Sequence, residues 1–169
     1  GSQSAFDYKA KGRAAGIHGG NNRNQRGHRF ACERSERLGS VREVKLLLDT
    51  HIWIWTVGAP EKLRKRVADA IQDDANELWL SPISIWELSV LVRKRRIELD
   101  DDVDSWVSKT LAEEAFREAP LTNEVAIAVS TIRFTHRDPA DQFIAASAKV
   151  FGLTLVTADP RLLALRTQG

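Results

Sequence analysis

One heptapeptide, Lys45-Leu46-Leu47-Leu48-Asp49-Thr50-His51, limits what this chain can fold into more than any other stretch. Three leucines that stop abruptly at a carboxylate describe a short buried strand with an acid at its carboxyl end. The amphipathic Ile52-Trp53-Ile54-Trp55 that follows turns the strand into a helix. In an open α/β sheet, the carboxyl ends of the strands are where ligands bind. Two readings of Asp49 are open at this level: a cap for the helix after it, or an acid delivered to a site.

The rest of the chain repeats the alternation. Pro60-Glu61-Lys62-Leu63 opens a helix with Leu63, Val67, Ala70 and Ile71 as its apolar stripe, and Glu77 to Ser81 is a second short strand. Pro82 starts a helix running to Arg96, Asp100 to Ala115 is an acidic helix, and Arg117 to Pro120 is an edge strand. Asn123 to Ile132 and Asp138 to Val150 are helical, Leu153 to Thr157 is a strand, and Asp159-Pro160 begins a terminal helix. Strands alternating with helices predict a three-layer α/β/α sandwich around a central, mainly parallel sheet of four to five short strands.

No run approaches the roughly 20 apolar residues of a membrane span, and no apolar segment follows the basic start as a signal peptide requires, so the expected location is the cytoplasm. A single cysteine, Cys32, excludes an intrachain disulfide and a thiolate cluster. The formal charge of +2 divides unevenly: residues 1–44 hold 9 Lys+Arg against 4 Asp+Glu, whereas residues 45–169 hold 16 against 19. The basic pI therefore comes from the tail and does not mark the folded part as a nucleic-acid binder. Residues 1–43, with Gly19-Gly20-Asn21-Asn22, show neither helical nor strand period and are expected to be a disordered basic extension. Gly1-Ser2 resembles a cloning scar, and with no Met in the chain, Val44 is a conceivable natural start, the extension then being appended or translated upstream sequence. Residues 44–169 are expected to form the single globular domain.

Glu87 weighs on the reading of Asp49. Its helical neighbours Ile83, Val90 and Leu91 place it on a core-facing stripe, where an unpaired carboxylate is expensive. Either a cation neutralises it, or it pairs with a distant arginine or reaches solvent. Asp138 and Asp141 lie three apart at a helix start, and Asp159 follows Leu-Val-Thr-Ala much as Asp49 follows the leucines. Each has a capping explanation, but acids on separate elements at strand ends, helix starts and a buried face are hard to account for as independent caps. Clustered carboxylates stay ionised only with positive charge among them. Oxygen donors without Cys or paired His favour Mg²⁺ or Mn²⁺ over zinc. In two-metal sites, ions roughly 3.5–4 Å apart activate water and stabilise the leaving oxygen of a phosphodiester.

Four segments, Leu-Leu-Leu-Asp-Thr-His-Ile-Trp, Ser-Pro-Ile-Ser-Ile-Trp-Glu-Leu, Arg-Asp-Pro-Ala-Asp-Gln-Phe-Ile and Leu-Val-Thr-Ala-Asp-Pro-Arg-Leu, occur in order over residues 44–169. They resemble the four acidic motifs of PIN-domain ribonuclease toxins of the VapC type. The resemblance implies a Mg²⁺-dependent endoribonuclease, usually a homodimer, that hydrolyses RNA and is blocked by a cognate antitoxin. By position it implies Asp49, Glu87, Asp141 and Asp159 as the catalytic and metal-binding acids, with Asp138 auxiliary. Thr50, Ser84 and Thr157 stand beside the acids and are further auxiliary candidates, although strand and helix ends also use Ser and Thr for backbone satisfaction.

Arg93-Lys94-Arg95-Arg96 exceeds what a helix C-terminal dipole needs and is a candidate RNA phosphate contact. Lys62, Arg64, Lys65 and Arg66 read as a solvated face. His51 and His136 are near the motifs but read first as structural or exposed. Trp53, Trp55, Trp86 and Trp106 fall at helical spacings as core or dimer interface, with base stacking the lesser role. Arg23, Arg26 and Arg29 in the tail are a candidate weak competitor for the acids. Alternatives remain: a catalytically silent PIN-like RNA-binding or scaffold module, or a receiver-like signalling domain. A receiver would want paired acids after the first strand and a lysine after the last, and a haloacid-dehalogenase-type phosphatase would want Asp-x-Asp-x-Thr, where this chain has Asp49-Thr50-His51-Ile52.

Overall fold

Leu46 and Leu48 of strand β2 (Lys45–Leu48) pack into one apolar cluster and Leu47 into another, which is the period-two alternation of a strand covered on both faces. In this computed structural model, residues 8–9, 43–113, 115–132 and 138–164 are described. All three leucines are buried, and each stabilises the fold by about 2 kcal/mol. On the Leu46/Leu48 side lie helices α1 (Thr50–Gly58), α3 (Pro82–Arg93) and α4 (Val103–Glu113), where the Trp53 and Trp106 rings meet edge to face at 5.2 Å. On the Leu47 side, α6 (Pro139–Phe151) supplies Ile144 and Ala148.

Strand β3 (Glu77–Leu80) pairs with β2 on one edge, and β6 (Thr154–Val156) on the other. The short β5 (Arg117–Glu118) extends the sheet beyond β3, giving the order β5-β3-β2-β6 with every pairing parallel. The expected parallel α/β/α sandwich is the fold. After β2 the chain moves outward through β3 and β5, then returns to the opposite side of β2 as β6. The β2/β6 boundary is therefore a topological switch point, the place where open parallel sheets bind ligands at their strands' carboxyl ends.

Several boundaries differ from the sequence expectation. The helix expected from Pro60 is a 3-10 turn (Pro60–Lys62) followed by a separate α2 (Lys65–Ile71), because Leu63 and Arg64 are extended between them. The helix expected to reach Arg96 ends at Arg93, and Ile97–Glu98 forms β4. The acidic helix starts only at Val103, where Asp102 accepts hydrogen bonds from the Ser105 N–H and hydroxyl. Helices α5 (Asn123–Thr131) and α7 (Pro160–Leu163) lie where expected. Of the basic extension, Tyr8–Lys9 is described as strand β1, parallel to β4, together with Glu43. Arg23, Arg26, Arg29 and Cys32 lie outside the described residues, as does His136.

Two helices end on a left-handed residue. After α6 it is Gly152, φ 64°, which has no Cβ to strain. After α3 it is Arg95, φ 54°: its N–H donates to the Val92 carbonyl and the Arg96 N–H to the Leu91 carbonyl, which together form a Schellman cap. A Cβ in this conformation costs about 1 kcal/mol or more. Arg95→Gly is expected to raise Tm by about 4 °C in a thermal melt. An unchanged Tm would mean that contacts of the arginine side chain already offset the strain.

Candidate functional site

Asp49 occupies the N-cap position of α1, yet its side chain makes no cap hydrogen bond. Its Oδ2 instead accepts from the Thr157 hydroxyl at 2.7 Å, a contact spanning 108 residues of sequence. The backbone fixes that meeting, since the Asp49 N–H donates to the Val156 carbonyl at 3.0 Å and carries the β2/β6 ladder one residue past the strands. Asp49 is only 4% exposed. Burial pushes its pKa up, against the lowering effects of the Thr157 hydroxyl, His51 and the Thr50 amide, while Asp159 pushes it further up. The capping alternative is thus set aside for a carboxylate held at the switch point by a strand-end threonine.

Glu87 reaches the same site from α3. Ser81, at the end of β3, caps α3 by accepting from the Ile83 N–H, and Pro82 sits in the first turn. This start places Ser84 and Glu87 one turn apart on one face. Burial raises the Glu87 pKa to about 7; the nearby Thr50 hydroxyl offsets part of this, and the charges of Asp49, Asp138 and Asp141 raise it again. Thr50 and Glu87 nevertheless miss hydrogen-bond geometry. Thr50 Oγ1, Ser84 Oγ and Glu87 Oε2 are all buried without a hydrogen-bond partner among the described residues. Three unsatisfied oxygens in one place are costly unless something outside the chain completes them.

Helix α6 brings two more acids. Asp138 is its N-cap, accepting from the Ala140 N–H at 3.1 Å, and Asp141, 7% exposed, lies in the first turn. Asp159 caps α7 through the Arg161 N–H and is gripped by the Arg161 guanidinium, with Nη2 2.6 Å from Oδ2. That hydrogen bonding raises the Arg161 pKa against some desolvation, and the charges of Asp159, Asp141 and Asp138 add to it. Arg161 therefore stands beside the acids as an internal counter-ion, which the sequence reading did not single out. The Asp159-Pro160-Arg161 order was the available signal: a cap that leaves the i+2 side chain facing its own carboxylate.

The opposite end of the sheet provides a contrast. Glu77, at the start of β3, receives the Trp79 indole N–H at 3.1 Å, with Arg117 at 2.8 Å and Lys45 at 3.8 Å. Burial pushes its pKa up, but the indole N–H and the Arg117 charge outweigh that and leave it lowered. The acids at the carboxyl end are placed the other way, with burial and like charge prevailing for Asp49 and Glu87.

Among the described residues, no three His, Cys, Asp or Glu side chains stand close enough to form a ready-made chelating set. One of the acids, Asp159, is tied to Arg161 instead. The donor set still fits a hard divalent cation: carboxylate and hydroxyl oxygens, three of them orphaned and two acids with raised pKa.

Of the sequence candidates, Asp49, Thr50, Ser84, Glu87 and Thr157 converge, Asp138 and Asp141 border them electrostatically, and Asp159 is adjacent but held by Arg161. Arg93, Lys94, Arg95 and Arg96 are exposed at the far end of α3, with Arg93 about 9 Å along the helix from Glu87. Lys62, Arg64, Lys65 and Arg66, on the 3-10 turn, the link and the start of α2, are exposed, as expected of a solvated face, with Lys65 paired to Asp69. Trp53 and Trp106 are core; Trp86 is 51% exposed.

Such a sheet, fully parallel with acids from several elements near its switch point, defines a small α/β/α domain. The chain belongs to the PIN domain family, which it matches over residues 46–167. It is 37% identical over 117 residues, covering 69% of this chain and 88% of the relative, to Ribonuclease VapC22 of Mycobacterium tuberculosis. Among solved structures it is similar to VapBC2 from Rickettsia felis bound to a DNA fragment from their promoter. That likeness has a TM-score of 0.54 at 18% identity, covers 72% of this chain and 93% of that one, and supports the fold.

Proposed function

We propose that this protein is a metal-dependent endoribonuclease that acts as the toxin of a toxin–antitoxin pair. The observation that carries the reading is the coincidence of raised carboxylate pKa values with orphaned buried oxygens at the switch point of a PIN domain. The ribonuclease relative supports the substrate class. Asp49, Glu87, Asp141 and Asp159 would hold Mg²⁺, or Mn²⁺ in its place, with Asp138, Thr50 and Ser84 as auxiliary oxygen donors. When bound there, the cation would supply Lewis-acid chemistry, activating water and offsetting charge that develops on the phosphodiester.

The chain's own residues do the rest. Thr157 orients Asp49 by donating to Oδ2. Glu87, with a pKa about 7, releases its proton when positive charge arrives. Asp159 would contribute a further carboxylate, in exchange for its contact with Arg161. Arg93, Lys94, Arg95 and Arg96 offer exposed positive charge to the RNA backbone.

The same negative site suits an antitoxin that places an arginine or lysine among the acids, since such a cation gains charge-assisted hydrogen bonds there. A homodimer in the cytoplasm completes the proposal. Among the described residues, no helix is long and apolar enough to cross a membrane.

The test is cleavage itself. RNA 5′ ends mapped after brief expression should show new cuts, and the purified protein should cut the mapped sequence only with Mg²⁺ or Mn²⁺, stopping in EDTA. Cleavage that persists in EDTA refutes the metal role. RNA binding without cleavage would establish instead the silent RNA-binding module.

A further inference from the structure

Between α3 and the first turns of α6, a groove of about 380 Å³ is lined by Ile83, Trp86, Pro139, Ala140 and Phe143. Its residues interleave in sequence with the candidate site residues: Ile83 precedes Ser84, Trp86 precedes Glu87, and Pro139 and Ala140 lie between Asp138 and Asp141. Groove and acids thus share α3 and the start of α6, the two elements that bring Glu87, Asp138 and Asp141 within electrostatic reach of one another. The Trp86 indole is 51% exposed, a large apolar surface left in water next to a charged site.

We infer that Trp86, with Pro139 and Phe143, is the stacking platform for the nucleobase that flanks the scissile phosphate, which makes it a substrate-positioning residue. This rests on the ribonuclease reading above. Base faces stack on aromatic side chains in single-stranded RNA recognition. The groove volume is in the range of small-ligand sites, which run from about 300 to 1,000 Å³. Its lining residues are all apolar or aromatic, which suits the face of a base. Apolar surface open to a protein partner is present elsewhere, at Leu121 and Ile127, neither of which lines the groove.

The experiment uses an RNA oligonucleotide containing the mapped cut site, and versions with an abasic residue on either side of the cut, against the wild-type protein, Trp86→Ala and Trp86→Phe. Trp86→Ala should lower kcat/KM about tenfold, mainly through KM, with Trp86→Phe partly restoring it. One of the two abasic substrates should cost the wild type a similar factor and cost Trp86→Ala nothing more. Independent losses, or no loss, with cleavage still at the mapped site, overturn the platform and leave the ribonuclease reading intact. A change in elution volume of Trp86→Ala on size exclusion assigns the groove to a protein interface and equally overturns it. Failure of the wild type to cleave any RNA overturns the parent reading first.

Discussion

Asp49→Asn eliminates RNA cleavage, by roughly a thousandfold or more in kcat, while the metal-free protein melts at the same temperature or higher. Both halves follow from the position of the carboxylate. The activity loss arises because a buried acid at the centre of the switch point is replaced by a neutral amide that cannot balance a divalent charge. The stability half arises because Asn retains what Asp49 does for the fold: its side-chain oxygen still accepts from the Thr157 hydroxyl, and the neutral group no longer carries the desolvation that raises the Asp49 pKa. Asp159→Asn should behave differently. It breaks the partly exposed tie to Arg161, worth little in water, so stability changes slightly while cleavage is again lost. Assays of single-turnover cleavage beside thermal melts in EDTA check the pair. A Tm several degrees below wild type for Asp49→Asn would show that the carboxylate is a structural element instead.

Asp49 also shows how far sequence reasoning reaches. The alternation of Leu46, Leu47 and Leu48 made a two-sided strand legible, and a strand covered on both faces implies helices on both sides and a ligand crevice at its end. What stayed open was whether Asp49 capped α1. That depends on a side-chain torsion and on Thr157, 108 residues away, and local pattern carries neither. Glu87 was legible as an acid on an apolar stripe; that its Oε2, like Thr50 Oγ1 on α1 and Ser84 Oγ one turn earlier on α3, is buried without a partner required the packing of α3 to be known.

The misses have local causes. Leu63, Val67, Ala70 and Ile71 fit one continuous helix, yet Pro60 starts a 3-10 turn, and the stripe packs on the same cluster with a break inside it. Periodicity cannot separate the two because all four residues face the core in either case. The end of α3 was hidden for the opposite reason. Helix termini are read from glycine, and here an arginine takes the left-handed position. Arg161 was read only as part of the motif that holds Asp159, because a guanidinium two residues after a capping aspartate looks like ordinary surface charge until the other acids are placed around it.

In metal-free buffer, stability should rise as pH falls from 8 to 5, the reverse of ordinary acid weakening, by roughly 3 kcal/mol or about 10 °C in Tm. The sign comes from Glu87. Its pKa lies at about 7 in the folded protein against 4.5 as an ordinary side chain. Between those values the folded state binds a proton that the unfolded state does not, so protonation favours folding. Above about pH 7 the group is charged in both states and the full burial cost is present; below about 4.5 it is neutral in both and the cost is gone. Asp49, raised for the same first reason, adds in the same direction. Glu77 and Asp102, whose pKa values are lowered, oppose it only in more acidic solution. Glu87→Gln should raise Tm at pH 8 and flatten most of the slope. Mg²⁺ should stabilise the wild type at pH 8 by mass action and progressively less toward pH 5.5, as protons compete for Glu87. Scanning calorimetry in EDTA and in Mg²⁺ across this range tests all three. A flat Tm in EDTA between pH 5 and 8 would mean that a cationic side chain already neutralises Glu87, leaving no electrostatic demand for a metal at this position.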